Sequence, residues 1–386
     1  MRARHGGETM SEMNFQISRD KFYNALTIAS RAISSNSPVP ALTGILITAS
    51  DNQLLLTASN AVISIQMTLS NEKDPDLGLS ISGEGSIVIE SRFLMDIVKK
   101  IDSDQIKIEI IDGTLTHFEG NKAEYKINCI RPDDYPSIDF SEPATKFEIN
   151  SGTLNEFITQ TVFAAAVKET RPVLTGVNFN SDGKEIICTG TDSYRLSRRT
   201  APITSDPFMI TVPSKTLNEV KNIFAEDQTV KVALNDKKIQ FSNDKVMLQS
   251  TLLEGDFPDT NRLIPKDFTR TMVINKTVLL DALDRAAFIK TDNISTMYLQ
   301  MTGADDISLS NRSQEIGEFH EVLNAVSYEG DPLDISFSGQ YMMDALRIFK
   351  GENVKISFTG VMKPFIITEE EDSSVIELIL PVRTYM

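Results

Sequence analysis

The sequence has no tryptophan, only two cysteines and three histidines in 386 residues, and each scarcity removes a kind of chemistry. Cys129 and Cys188 lie far apart in strand-like contexts, and His5, His117 and His320 are isolated. Neither Cys-x-x-Cys nor His-x-x-x-His spacing occurs, which speaks against a zinc site. One disulfide could join the cysteines, but two buried free thiols fit better and point to a reducing cytoplasm. No Gly-x-x-x-x-Gly-Lys loop is present to cradle phosphates, and no Gly-x-Gly-x-x-Gly follows a strand. Neither His117 nor His320 sits near a nucleophile-elbow sequence. No apolar run approaches the roughly 20 residues of a membrane helix, and the opening Met1-Arg2-Ala3-Arg4-His5-Gly6-Gly7 lacks the apolar stretch of a secretory signal. These absences predict no catalytic residue, no metal, no cofactor and no membrane partner.

Positive charge is also short. Lys and Arg number 38 against 54 Asp and Glu, a net charge of −16. A protein that coats nucleic acid by bulk electrostatics is excluded, so any DNA contact must be local or must not depend on tight binding. The acidic residues do cluster, as Asp133-Asp134, Asp305-Asp306 and Glu369-Glu370-Glu371-Asp372. Paired carboxylates can hold magnesium in a nuclease, but Pro132 before the first pair and Gly303-Ala304 before the second mark turns, and the longer tract reads as a solvated loop.

What the chain does contain is repetition. Phe15-Gln16-Ile17-Ser18, Phe147-Glu148-Ile149-Asn150 and Met272-Val273-Ile274-Asn275 alternate as half-buried strands, 132 and then 125 residues apart. Each precedes a helical stripe: Phe22, Ala25, Leu26 and Ala29; Leu154, Phe157, Ile158 and Thr161; Leu279, Ala282, Leu283 and Ala286. A second helix follows in each unit, on Leu94, Ile97, Val98 and Ile101, on Leu217, Val220, Lys221 and Phe224, and on Met342, Ala345, Leu346 and Phe349. Matching strands come next, Ile106-Lys107-Ile108, Val230-Lys231-Val232 and Val354-Lys355-Ile356, and Ala41-Leu42-Thr43-Gly44-Ile45 recurs as Val173-Leu174-Thr175-Gly176-Val177. Two helices and about eight short strands per unit describe an α+β fold, with helices packed on antiparallel sheets. Residues 1–12 read as a leader outside the fold, and the repeats as 13–143, 144–268 and 269–386, with boundaries at the Pro-marked segments around Pro143 and Pro265.

On the helical wheel Arg92 and Lys99 project opposite the apolar stripe, Lys215 repeats the Arg92 position and Arg347 the Lys99 position. Arg31 and Arg285 lie on polar faces of first helices, and Lys168 precedes the second Leu-Thr-Gly segment. Acidic neighbours share these faces, so an ordinary solvated surface explains them as well as a DNA contact does. If such helices lined a channel, sparse cations would permit sliding where dense ones would hold DNA fast.

The chain from Met13 onward resembles the bacterial sliding clamps, the beta subunits of DNA polymerase III. The residues that carry the likeness are Thr191-Asp192-Ser193-Tyr194-Arg195-Leu196, similar to the family's Thr-Asp-Gly-His-Arg-Leu, then Gly255-Asp256-Phe257-Pro258-Asp259 with Leu263-Ile264-Pro265-Lys266, Pro40-Ala41-Leu42-Thr43-Gly44, and Leu380-Pro381-Val382-Arg383. The resemblance implies three clamp-type domains per subunit and two subunits closing into a ring around duplex DNA, without sequence preference. It also implies a groove for short peptides of the polymerase III catalytic subunit, the clamp loader complex, and other polymerases and repair factors. Matching positions place its walls at Leu174, Thr191, Ser193, Tyr194, Arg195, Leu196, Pro258, Leu263, Pro364, Leu378, Ile379, Leu380, Pro381, Val382 and Arg383; with helices lining the hole, the cations read above from the helical wheel and the loop, Arg31, Arg92, Lys99, Lys168, Lys215, Arg285 and Arg347, become the DNA-facing candidates. On the loop before Leu174, one reading puts Arg171 at the groove rim and the other puts Lys168 against DNA. Ser193-Tyr194 depart from the family's Gly-His, and Thr384-Tyr385-Met386 extend past its usual end. A three-domain peptide-binding scaffold with no DNA role remains the alternative.

Overall fold

The computed structural model describes residues 12–168, 171–225, 227–291 and 294–383. The expected leader, apart from Glu12, falls outside them, as do residues 384–386. The first repeat runs β1 (Asn14–Ser18), α1 (Arg19–Ala29), β2 (Gly44–Ser50), β3 (Gln53–Ser59), β4 (Ile63–Ser70), β5 (Ser80–Gly83), β6 (Gly85–Glu90), α2 (Ser91–Lys100), β7 (Gln105–Asp112), β8 (Leu115–Gly120) and β9 (Ala123–Asn128). The second runs β10 (Thr145–Asn150), α3 (Ser151–Thr161), β11 (Gly176–Ser181), β12 (Glu185–Thr191), β13 (Arg195–Pro202), β14 (Phe208–Pro213), α4 (Ser214–Ile223), β15 (Thr229–Leu234), β16 (Lys238–Ser242) and β17 (Val246–Thr251). The third runs β18 (Arg270–Asn275), α5 (Lys276–Ala286), β19 (Thr296–Gly303), β20 (Asp306–Ser313), β21 (Gly317–Leu323), β22 (Ser327–Glu329), β23 (Leu333–Ser338), α6 (Gly339–Arg347), β24 (Asn353–Phe358), β25 (Phe365–Glu369) and β26 (Val375–Ile379).

The repeats agree in register as well as order. Each opens with a strand that pairs antiparallel with the strand after its second helix, matching Phe15 to Ile108, Phe147 to Val232 and Met272 to Ile356. The helical stripes are buried but for one position, from Phe22 at 0% exposed to Ile97 at 6%, and each of their large apolar side chains contributes about 1.5–3 kcal/mol. Lys221 is the departure. It holds the place of Val98 and Leu346, yet it is exposed and its ammonium donates to Thr159 Oγ1 at 2.8 Å. The two Leu-Thr-Gly segments both form a 3-10 turn entering a strand, and their glycines lie against the neighbouring strand. A Cβ at Gly44 would stand 2.8 Å from the Ile89 carbonyl oxygen, and one at Gly176 would stand 2.4 Å from that of Val212.

The strands form two compact units. One contains the residues up to Ser151 with Asn222–Thr251, and the other Gly152–Lys221 with the residues from Leu252 onward. The first unit holds a sheet ordered β5-β1-β7-β8-β9 and a sheet ordered β10-β15-β16-β17-β4-β3-β2-β6. In it α1 packs beside α2. The second unit holds β14-β11-β12-β13-β26-β25-β24-β18-β22 and β21-β20-β19-β23, with α5 beside α6. In the longest sheet of each unit, successive repeats meet through the last strand of a three-strand meander: β4 against β17, and β13 against β26. Among the described residues, the last strands of the other two meanders, β9 and β21, have a neighbour on one flank only.

Candidate functional site

The seam of β13 and β26 brings together most of the predicted groove residues. Pairing runs from Arg195 opposite Ile379 to Arg199 opposite Val375, and the period-2 alternation of strands then sorts side chains to two faces. Leu196 and Leu378, directly opposite each other, share one face in an apolar cluster with Ile366, flanked by Ile264, Phe268, Ile376 and Leu380. Arg195, Ser197 and Arg199 take the other face. Ile379 lies on that face too, inside the core of the third repeat.

Thr191 and Ser193 build the turn into β13. Thr191 Oγ1 donates to the Arg195 carbonyl at 2.6 Å and accepts from the Ser193 amide at 3.2 Å, while Asp192 Oδ1 accepts from the amides of Tyr194 and Arg195 at 2.9 Å. Ser193 has φ 76, the left-handed region. Glycine enters that region freely, which accounts for the family's glycine at this position.

Arg195 is committed on every side. Its Nε donates to Asp192 at 3.0 Å, one terminal nitrogen to Asp344 at 2.7 Å and the other to the Phe163 carbonyl at 2.7 Å. The guanidinium also lies over the Tyr341 ring, 4.5 Å from its centroid. Burial raises the Tyr341 hydroxyl pKa, and Asp192 adds to the rise. Arg195 is therefore a strut, with its Nε and both terminal nitrogens already holding other parts of the fold.

Beyond the strut, Tyr194, Pro381, Val382 and Arg383 line a cleft of about 880 Å³ with Ile294, Gln340, Tyr341 and Met343. The terminal segment is fixed there by main-chain bonds, from Leu380 N to the Tyr194 carbonyl at 3.0 Å and from Val382 N to the Ser336 carbonyl at 2.8 Å. Tyr194 is 64% and Leu263 51% exposed, so both offer apolar surface to a ligand. Pro364 is half-buried beside β25. Leu174 sits apart, packed with Ala166, Val173 and Phe257, and Pro258 lines a smaller cleft that contains Arg198 and Met209. Sequence reasoning missed Tyr341, Met343 and Ile294, which reach the site from other elements of the third repeat and carry no local motif.

The seven candidate DNA-facing cations are all exposed. They differ in how their charge is already spent. Arg285 makes a two-pronged bond to Glu321, at 2.9 and 2.5 Å. Arg347 lies 3.7 Å from Asp344, and Arg92 lies 3.8 Å from Glu90 while stacking on Phe93. Lys99 and Lys215 make no ion pair among the described residues.

Models of the DNA polymerase III beta subunit match along nearly the whole chain, the N-terminal domain at residues 13–139, the central domain at 148–259 and the C-terminal domain at 261–383. The beta sliding clamp of Bacillus subtilis is 36% identical over 97% of this chain and 100% of its own length. The chain belongs to the DNA polymerase III beta subunit, or sliding clamp, family. Beta sliding clamps of Staphylococcus aureus are 36% identical over 97% of the chain. The crystal structure of the Bacillus subtilis clamp superposes with a TM-score of 0.93, covering 97% of this chain and 100% of that one. The beta subunit of Streptococcus pyogenes gives 0.90 at 34% identity, over 96% and 100%. As a member of this family the chain is a non-catalytic processivity factor that encircles DNA, and the reading as a scaffold with no DNA role gives way.

Proposed function

We propose that two copies close around duplex DNA through the open edges of β9 and β21. The observation that carries this is the rule of the sheets. Where the sheets of two repeats join, they do so by pairing the last strands of two meanders, and among the described residues β9 and β21 are the two such strands left with a bare flank. A bare edge is a template for another strand. Apolar side chains accompany both edges: Tyr125 and Ile127 half-buried on β9, Phe319 half-buried on β21, and Phe288 and Val322 at 67% and 59% exposed near the latter. The repeats are read as 13–143, 144–268 and 269–386.

In the same reading, Leu196, Leu263, Leu378 and Leu380 form one end of a groove for short linear peptides, and Tyr194, Tyr341, Pro381, Val382 and Arg383 the other. A concave apolar site with a few polar groups suits an extended peptide. Its occupants are the polymerase III catalytic subunit, the clamp loader, and other polymerases and repair factors that bear such peptides. Arg31, Arg92, Lys99, Lys168, Lys215, Arg285 and Arg347 face the DNA. Cys129 and Cys188 are free thiols, which supports placement in a reducing cytoplasm.

The decisive experiment is topological. Protein loaded on a circular plasmid is expected to stay bound through gel filtration in high salt, and to leave when a restriction enzyme linearises the circle. Equal retention on linear DNA with free ends overturns encirclement.

A further inference from the structure

Opposite Leu196 and Leu378, on the other face of the β13–β26 seam, the adjacent pair is Ser197 and Glu377. Glu377 is 2% exposed and Ser197 0%. The Ser197 hydroxyl touches two oxygens, the Gln160 backbone carbonyl on α3 and the Glu377 carboxyl Oε1. A hydroxyl has one proton to donate, and a backbone carbonyl has none. If Ser197 serves the carbonyl, the contact with Glu377 needs a proton from the acid. If Ser197 serves Glu377, two bare oxygens are left pressed together in a buried site, an arrangement that is strongly unfavourable.

The surrounding charges agree with the first assignment. Arg195 of β13 and Asp344 of α6 face Glu377, and Arg195 is already bonded to both Asp344 and Asp192. The one cation whose charge is felt at Glu377 among the described residues, Arg195, is thus shared with two other carboxylates. Burial dominates and drives the Glu377 carboxyl well above its usual range, against the smaller opposing pulls of Ser197 and Arg195.

We propose that Glu377 is a neutral carboxylic acid in the folded protein and a positioning residue. Its O–H ties β26 to Ser197, and through Ser197 to the Gln160 carbonyl of α3. The adjoining Leu378 and nearby Leu380 belong to the groove wall, so the effect on peptide binding rests on the groove reading above, while the protonation state does not.

Three measurements on the full-length dimer test this, with Glu377→Gln as the variant, since an amide keeps a donor for Ser197 and cannot ionise. Infrared spectra at neutral pH are expected to show a protonated-carboxyl C=O band that E377Q lacks; absence of the band overturns the proposal. Thermal unfolding gives a second readout with a definite sign. Glu377 titrates in the ordinary carboxylate range when unfolded and higher when folded, so wild type loses stability as pH climbs from about 5 until the folded carboxyl itself ionises. E377Q is expected to match wild type near pH 5 and to unfold at progressively higher temperature than wild type above it. The opposite sign, E377Q less stable at neutral pH with a gap that closes on acidification, is the signature of an ionised glutamate and refutes the idea.

The third readout is titration with a synthetic clamp-binding peptide. Wild-type affinity is expected to fall about fivefold as Glu377 ionises at alkaline pH, the scale of one lost hydrogen bond, with E377Q unchanged. Identical pH profiles for the two proteins count against the positioning role. Failure of both proteins to bind the peptide at any pH sinks the groove reading instead, while the infrared band and the stability gap still decide Glu377.

Discussion

The guanidinium of Arg195 and the carboxylate of Asp344 meet at 2.7 Å, joining β13 of the second repeat to α6 of the third. Both side chains are largely screened from water, at 13% and 22% exposed. Arg195 also anchors the Asp192 turn and the Phe163 carbonyl. Replacing Arg195 with alanine therefore takes the guanidinium from two carboxylates at once. The expected loss is about 2–4 kcal/mol of stability, discounted from the fully buried case for residual solvent, together with weaker peptide binding. Chemical denaturation with a parallel peptide titration checks it, and R195A with unchanged midpoint and affinity contradicts the strut.

The left-handed Ser193 offers a gain. Serine is strained at φ 76, so Ser193→Gly relieves roughly 1–2 kcal/mol of backbone strain and gives back about 0.5–1 to the freer unfolded chain. A net stabilisation of about 0.5–1 kcal/mol is expected. A lower unfolding temperature for S193G contradicts it.

The groove has a probe that spares the core. Leu196 is 1% exposed, so a charge there disturbs folding as well as binding, whereas Leu263 is 51% exposed. Leu263→Asp, and separately removal of the residues from Pro381 onward, are expected to weaken polymerase-peptide binding at least about tenfold, near 1.4 kcal/mol. Analytical ultracentrifugation should show both variants still dimeric. Wild-type affinity in either variant places the groove elsewhere.

Charge reversal at Arg92, Lys99 and Lys215 is expected to reduce loading and processive synthesis on DNA and to leave the peptide titration unmoved. Each phosphate contact removed lowers the slope of log affinity against log salt by about 1. Arg285, engaged by Glu321, is expected to contribute less than Lys99 or Lys215. A triple variant that supports full processivity refutes the DNA-facing assignment.

The fold was legible where contacts are local. Phe22, Ala25, Leu26 and Ala29 announce a helix because burial depends on spacing within one element, and the three strand partners repeat because the whole unit repeats. The site was legible only where it carries a motif, as at Leu196 or Pro381. Tyr341 and Met343 show no such signal; they reach the cleft by packing across elements, and Arg195 finds Asp344 across 149 residues of chain. Glu377 reads as an ordinary exposed strand residue from its alternation with Ile376 and Leu378, and only the partner strand reveals that it is buried.

The distance along the chain between β13 and β26 has a consequence for biosynthesis. Ser197 and Glu377 are 180 residues apart, so a ribosome finishes β13 long before it starts β26. Until that later strand emerges and docks, Leu196 has no Leu378 opposite it, and on the groove reading proposed above the nascent chain offers a peptide only half a site. On that reading, completion of the subunit precedes capture by its partners.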